Sequence, residues 1–173
     1  MGIDKILNSK VVCIILPGGE FNEKIIELLK KIEDKKVCYV TLNKGADVFI
    51  ESFKKNKINS ENFFFIDCVS KTIVAPKPLA NCQFISSPNA LTEISLAIDK
   101  CVDSGFSTIL VDSLSTFMIY HNANAINHFF HNLSNKTRTE KDNNLILTIS
   151  SKDKDSEVFK KIELIVDEVI EMK

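Results

Sequence analysis

The feature that most constrains this chain is a rhythm. Short, unbroken apolar runs alternate with segments whose apolar residues recur at helical spacing. Val11–Leu16 (VVCIIL) is six consecutive apolar residues, the pattern of a strand buried on both faces. Pro17-Gly18-Gly19 ends it, and Phe21, Ile25, Ile26, Leu28, Leu29 and Ile32 then repeat as one face of a helix. Further strands are predicted at 36–42 and 62–69, with a helix at 46–55 between them. A polar, proline-bearing stretch at 70–81 interrupts the rhythm before a short strand at 83–86. Ser87-Pro88 reads as an N-cap and first helical position for a helix over 89–104. A strand at 108–111 delivers Asp112, and a long helix over 115–136 follows. Strand 144–150, helix 156–165 and strand 169–172 complete the series. Such alternation implies parallel β-α-β units with right-handed crossovers. Ligands of such sheets bind at the carboxyl ends of the strands. That rule points to five places: 17–24, 43–45, 67–70, 112–115 and 150–152.

Composition narrows the field. The 173 residues correspond to about one domain, here taken as residues 1–173, and bury enough surface to need no disulfide or metal staple. Net charge is −1 and the pI about 6.3, so no global field recruits nucleic acid or an acidic membrane. The lysine doublets at 30–31 and 54–55 fall where helices end, as cations complementing the helix dipole. The five cysteines form no C-x-x-C pair, and Cys13, Cys38 and Cys68 lie inside strand-like runs. Buried, reduced thiols in a cytoplasmic protein are expected. No apolar run near the N-terminus is long enough to cross a membrane. Ile6 stands where a myristoylation signal needs Ser or Thr.

Glycine is scarce, with five residues at positions 2, 18, 19, 45 and 105, and Arg138 is the one arginine. Both shortages bear on phosphate chemistry, which uses glycine loops and arginine forks. A phosphate loop of the form G-x-x-x-x-G-K-[ST] needs bare backbone around the phosphates, a lysine and a metal-holding hydroxyl. The matching window, Gly18-Gly19-Glu20-Phe21-Asn22-Glu23-Lys24-Ile25, keeps the first glycine and Lys24. It has Glu23 for the second glycine and Ile25 for the hydroxyl. A carboxylate about 6 Å from a phosphate repels it by roughly 3 kcal/mol at an effective dielectric of about 20. Glu20 and Glu23 would instead satisfy the helix dipole in the first turn.

Asp112-Ser113 at the end of an apolar strand has two readings. The aspartate could hold magnesium, or it could cap the following turn through backbone N–H groups. Asp67 and Lys152 with Asp112 suggest a phospho-receiver arrangement, but the first strand ends in Leu16-Pro17-Gly18 without the acidic pair it needs. His121, His128 and His131 fall within about 80° on the predicted long helix, among Asn122, Asn124, Asn127 and Asn132. That face reads as solvated rather than metal-binding. Ile119, Ile126, Phe129, Phe130 and Leu133 form the helix's apolar stripe.

The stretch LTEISLAIDKCVDSGFSTILVDSLSTFMIY (Leu91–Tyr120), with VCYVTLN at Val37–Asn43 and IELIVDEVIEM at Ile162–Met172, resembles the RecA/KaiC-like P-loop ATPase superfamily, in an archaeal-type form with a degenerate Walker A motif. The resemblance covers most of residues 11–173. It implies a three-layer α/β RecA-like domain with a mainly parallel sheet, and a vestigial nucleotide site at Gly18, Gly19, Lys24, Asp112 and Ser113. It also implies a water-activating glutamate after the second strand, where Asn43 stands and cannot act as a base. Arg138 is far from any recognisable finger motif. The expectation is a non-catalytic homologue without cofactor, acting through protein partners or self-association, with no nucleic acid and no membrane. The alternative is a divergent nucleotide-binding protein or weak ATPase that uses Lys24 and Asp112 with Mg-ATP.

Overall fold

The computed structural model describes residues 6 and 8–173. Seven strands form one sheet: β1 (Val11–Leu16), β2 (Val37–Thr41), β3 (Phe63–Asp67), β4 (Cys82–Phe84), β5 (Thr108–Asp112), β6 (Asn144–Ser150) and β7 (Glu168–Glu171). Their order across the sheet is β4-β3-β2-β5-β6-β1-β7, and every pairing is parallel. The expected α/β architecture is therefore observed. The central strands β1, β2 and β5 are buried at every residue, which is why they read as continuous apolar runs rather than as alternations.

Helices cover both faces. Alternate residues of β1 divide accordingly: Val12, Ile14 and Leu16 face α1 (Phe21–Ile32) and α2 (Ala46–Asn56), burying Leu28, Leu29 and Phe53. Val11, Cys13 and Ile15 face the other layer, made by α3 (Leu91–Asp103), α4 (Leu114–Tyr120), α5 (Ala123–Thr139) and α6 (Glu157–Ile162). The two cores lie on opposite sides of the sheet, giving three layers. All five cysteines are free thiols, and Cys13, Cys38, Cys68 and Cys101 are buried.

Three local expectations are corrected. The long helix is two helices, because His121 (φ −136°, ψ 149°) and Asn122 are extended. The Asn122 side chain accepts from the Ala125 N–H at 2.9 Å and so starts α5 as an N-cap. The break also removes Ile119 from the apolar stripe, where it is 75% exposed, while Ile126, Phe130 and Leu133 stay buried. His121 is separated from His128 and His131; its ring bonds the Pro88 carbonyl oxygen at 2.9 Å. Ser87-Pro88 forms a turn, closed by the Ala90 N–H on the Ser87 carbonyl at 3.1 Å, and α3 starts only at Leu91.

At the amino edge of the sheet, Arg138 ties the end of the fold to its start. Its Nη2 donates to the Ile165 carbonyl at 2.7 Å and to Asp167 Oδ1 at 2.8 Å. Asp167 Oδ2 accepts from the Val11 N–H at 2.9 Å. Burial pushes the Asp167 carboxyl up, but the Arg138 and Val11 bonds outweigh it and hold the group below its ordinary value.

Candidate functional site

The loops after β1, β2, β5 and β6 meet at the carboxyl edge, and Gly18, Gly19, Asn43, Asp112 and Ser113 lie in them or at the strand ends that lead into them. The connection from β1 to α1 is only Pro17–Glu20, closed by the Glu20 N–H on the Pro17 carbonyl at 3.1 Å. Phe21, Asn22 and Glu23 are already helical, so most of the eight-residue window is helix rather than a loop able to wrap a phosphate. Gly18 sits in a crowded turn. Its N–H donates to Ser151 Oγ at 3.1 Å, and a β-carbon there would lie 2.8 Å from Lys152 Cε and 3.0 Å from Ser150 Oγ. Gly19 meets nothing comparable: a β-carbon would have no neighbour within 4 Å.

Lys24 turns along α1 instead of toward the Gly18 turn, and its ammonium pairs with Glu27 Oε2 at 3.0 Å. Glu27 also accepts from Lys31 at 2.9 Å, and these two bonds hold its carboxyl below the ordinary range. Glu23 is exposed and lines a surface depression with Asn22, Ile26 and Asn56. What crowds Gly18 is Lys152 and Ser150.

Asp112 ends β5 and is 2% exposed. The capping role expected for it is not what the side chain does. Its Oδ2 accepts from the Tyr39 hydroxyl at 2.7 Å, and no hydrogen bond reaches the buried Oδ1 among the described residues. Burial raises the Asp112 carboxyl to about 6; Tyr39, Lys44 and the nearby Asn43 amide act in the opposite direction. Burial and the adjacent Asp112 charge push the Tyr39 hydroxyl well above its usual value, so it remains the donor. Ser113 is buried behind Asp112, across a cis peptide bond, with its Oγ 3.3 Å from Thr116 Oγ1. Thr116 Oγ1 in turn donates to Asn43 Oδ1 at 2.5 Å. Asn43 thus serves as an acceptor in a polar chain. Ser115 Oγ accepts from the Ser150 N–H at 2.9 Å, linking the β5 loop to the residues packed on Gly18.

The remaining candidates are dispersed. Asp67 accepts from the Ala46, Val69 and Ser70 N–H groups at 2.8, 2.8 and 2.9 Å and from the Ser70 hydroxyl at 2.6 Å. Its acceptor positions are thus taken up by the start of α2, through Ala46, and by the turn after β3, through Val69 and Ser70. Lys152 follows β6, three strands from β3, about 14 Å at ordinary strand spacing, so no receiver-like cluster forms. Arg138 lies at the opposite edge. Among the described residues no group of three or more His, Cys, Asp or Glu side chains converges on a metal position.

Of the site residues, Tyr39 and Thr116 fall outside the five places to which the strand-end rule points, while Lys44 falls inside one of them, 43–45. A signal for Tyr39 exists: a tyrosine inside a fully buried strand must find a partner for its hydroxyl. Lys44 carries no such signal, because its role depends on how loops from two strands meet.

No protein-family model and no curated protein matches the sequence. The structure does have a solved counterpart. It aligns with the crystal structure of a KaiC-like protein from the hyperthermophilic archaeon Pyrococcus horikoshii OT3, at a TM-score of 0.65 and 15% identity. The alignment covers 99% of this chain and 79% of the other. The fold is KaiC-like. At that identity the likeness speaks for the fold alone. Among the described residues no helix is long and apolar enough to cross a membrane.

Ile25 offers no metal-binding hydroxyl, Lys24 is paired with Glu27, and the Gly18 turn is packed against Lys152 and Ser150.

Proposed function

We propose that this chain is a non-catalytic RecA/KaiC-type domain, cytoplasmic, that works through protein contacts in a regulatory or assembly role. The observation that carries this reading is the packing of the Gly18 turn. Its backbone N–H is bonded to Ser151, and the stem of Lys152 packs so closely on the turn that a β-carbon at Gly18 would lie 2.8 Å from it. Phosphate loops work by presenting several free backbone N–H groups around an anion, and a four-residue turn closed on itself has few to give. Asn43 supports the reading, since an amide engaged as acceptor from Thr116 cannot take a proton from water. The case for protein contacts rests on apolar side chains left in solvent, with Ile119 75% and Tyr120 41% exposed at the end of α4.

Calorimetry with Mg-ATP and Mg-ADP tests the proposal. The expected result is no saturable heat at millimolar nucleotide, and no phosphate release on prolonged incubation. Micromolar binding abolished by Lys24→Ala would replace it with the alternative, a divergent nucleotide-binding protein using Lys24 and Asp112. Light scattering over a concentration series is expected to show self-association that weakens on Ile119→Asp.

A further inference from the structure

Lys24, Lys152 and Lys44 lie around the Gly18 turn and the loop after β2, and they are employed differently. Lys24 is paired with Glu27, a carboxylate it shares with Lys31. Lys152 lays its stem on Gly18. Lys44 reaches from the β2 loop to the first turn of α1, where its ammonium donates to Asn22 Oδ1 at 2.6 Å. That partner is a neutral amide, and among the described residues no carboxylate pairs with the Lys44 ammonium at contact distance. The base of the bridge is fixed as well. The Thr41 hydroxyl donates to the Lys44 carbonyl at 2.7 Å, and Thr41 is the register partner of Asp112 on the neighbouring strand. The Lys44 backbone is thereby held beside the end of β5.

Asp112 is the complementary half. Its Oδ1 is buried without a hydrogen-bond donor among the described residues, and a buried carboxylate of that kind either takes up a proton or is held ionised by nearby positive charge. The field of Lys44 favours the ionised form of Asp112. We propose that the Lys44 ammonium is the resident cation of this cleft, pinned on Asn22 so that its charge serves Asp112 in place of a bound metal ion. The inference rests on the non-catalytic reading above and gives it a device: the site carries its own cation, covalently attached. A tethered ammonium has already lost the freedom that a dissolved ion must surrender on binding, so free magnesium does not displace it.

A double-mutant cycle tests this. Urea unfolding at pH 8, where Asp112 is ionised, is measured for wild type, Lys44→Met, Asp112→Asn and the double variant, with and without 10 mM magnesium chloride and with no nucleotide present. Lys44→Met is expected to lower the folding equilibrium constant at least tenfold more in the native background than in the Asp112→Asn background. Magnesium is expected to recover at least threefold of that loss in Lys44→Met alone, and to leave wild type and the double variant unchanged. An additive cycle, or magnesium stabilising wild type as much as Lys44→Met, overturns the proposal. If Lys44→Met does not fold, Lys44→Gln keeps a donor for Asn22 without the charge, and the same cycle decides. The two readings fail separately. ATP turnover by wild type would sink the non-catalytic reading without touching the cycle. An additive cycle would leave the calorimetric test of nucleotide binding unaffected.

Discussion

Two buried aspartates end neighbouring parts of the same sheet, and the chain treats them in opposite ways. Asp67, 0% exposed at the end of β3, receives three backbone N–H groups and a hydroxyl. Asp112, 2% exposed at the end of β5, receives one hydroxyl and keeps an oxygen without a donor among the described residues. The difference follows from what comes next in the chain. After β3 the backbone folds into a tight 3-10 turn at Ser70–Thr72 and presents its N–H groups to the carboxylate. After β5 the chain moves into α4, whose first residues turn to Ser113 and Ser150 instead. Identical side chains at equivalent ends of strands are thus a structural clasp in one case and a sparsely bonded carboxyl in the other.

The largest effect is expected at the clasp. Asp67→Ala strands buried donors at the start of α2 and after β3, and should cost about 3 kcal/mol or more in urea unfolding. A loss under about 1 kcal/mol would erase the distinction between the two aspartates. Asp112→Asn should do the reverse. The carboxyl titrates at about 6 in the fold against 3.8 unfolded, so the native state holds the proton more tightly. Stability from this group is full below about pH 4, falls as pH rises toward 6, and is flat above. Asp112→Asn, which can still accept from Tyr39, should therefore raise stability by up to ~3 kcal/mol at pH 8 and by little at pH 4. Unfolding midpoints of both proteins across that range check the sign. The smallest effect belongs to Gly18→Ala, whose new methyl would press on the Lys152 stem. Because that stem is flexible, a cost near 1 kcal/mol is expected, and Lys152→Ala in the same chain should remove most of it. That pair leaves both aspartates untouched and so calibrates the background against which they differ.

The fold was largely legible from the chain because central parallel strands have no polar face to disguise them. Val11–Leu16 and Thr108–Asp112 announce themselves as apolar runs. The break at His121–Asn122 was not, since Ile119 and Ile126 are seven residues apart and keep an unbroken helix's period; only the capping chemistry of Asn122 marks the interruption. At the site, Gly18, Asp112 and Ser113 could be located from the sequence because strand ends are fixed by pattern. Their partners could not. Tyr39 reaches Asp112 across 73 positions, and Lys152 meets Gly18 from the far end of β6. Those meetings are set by strand order, which hydrophobic period does not encode.

The place of β1 in that order has a consequence for how the domain is made. Its two neighbours are β6 and β7, and the Val11 N–H waits for Asp167. On a ribosome delivering about 5–20 residues per second, the first strand emerges with neither neighbour yet in existence, and stays unpaired on both sides for several seconds while about 130 further residues are added. Pairs this distant in sequence form late. The most apolar segment of the chain is therefore the one longest without shelter, and the newborn chain's dependence on chaperones should be concentrated in Val11–Leu16.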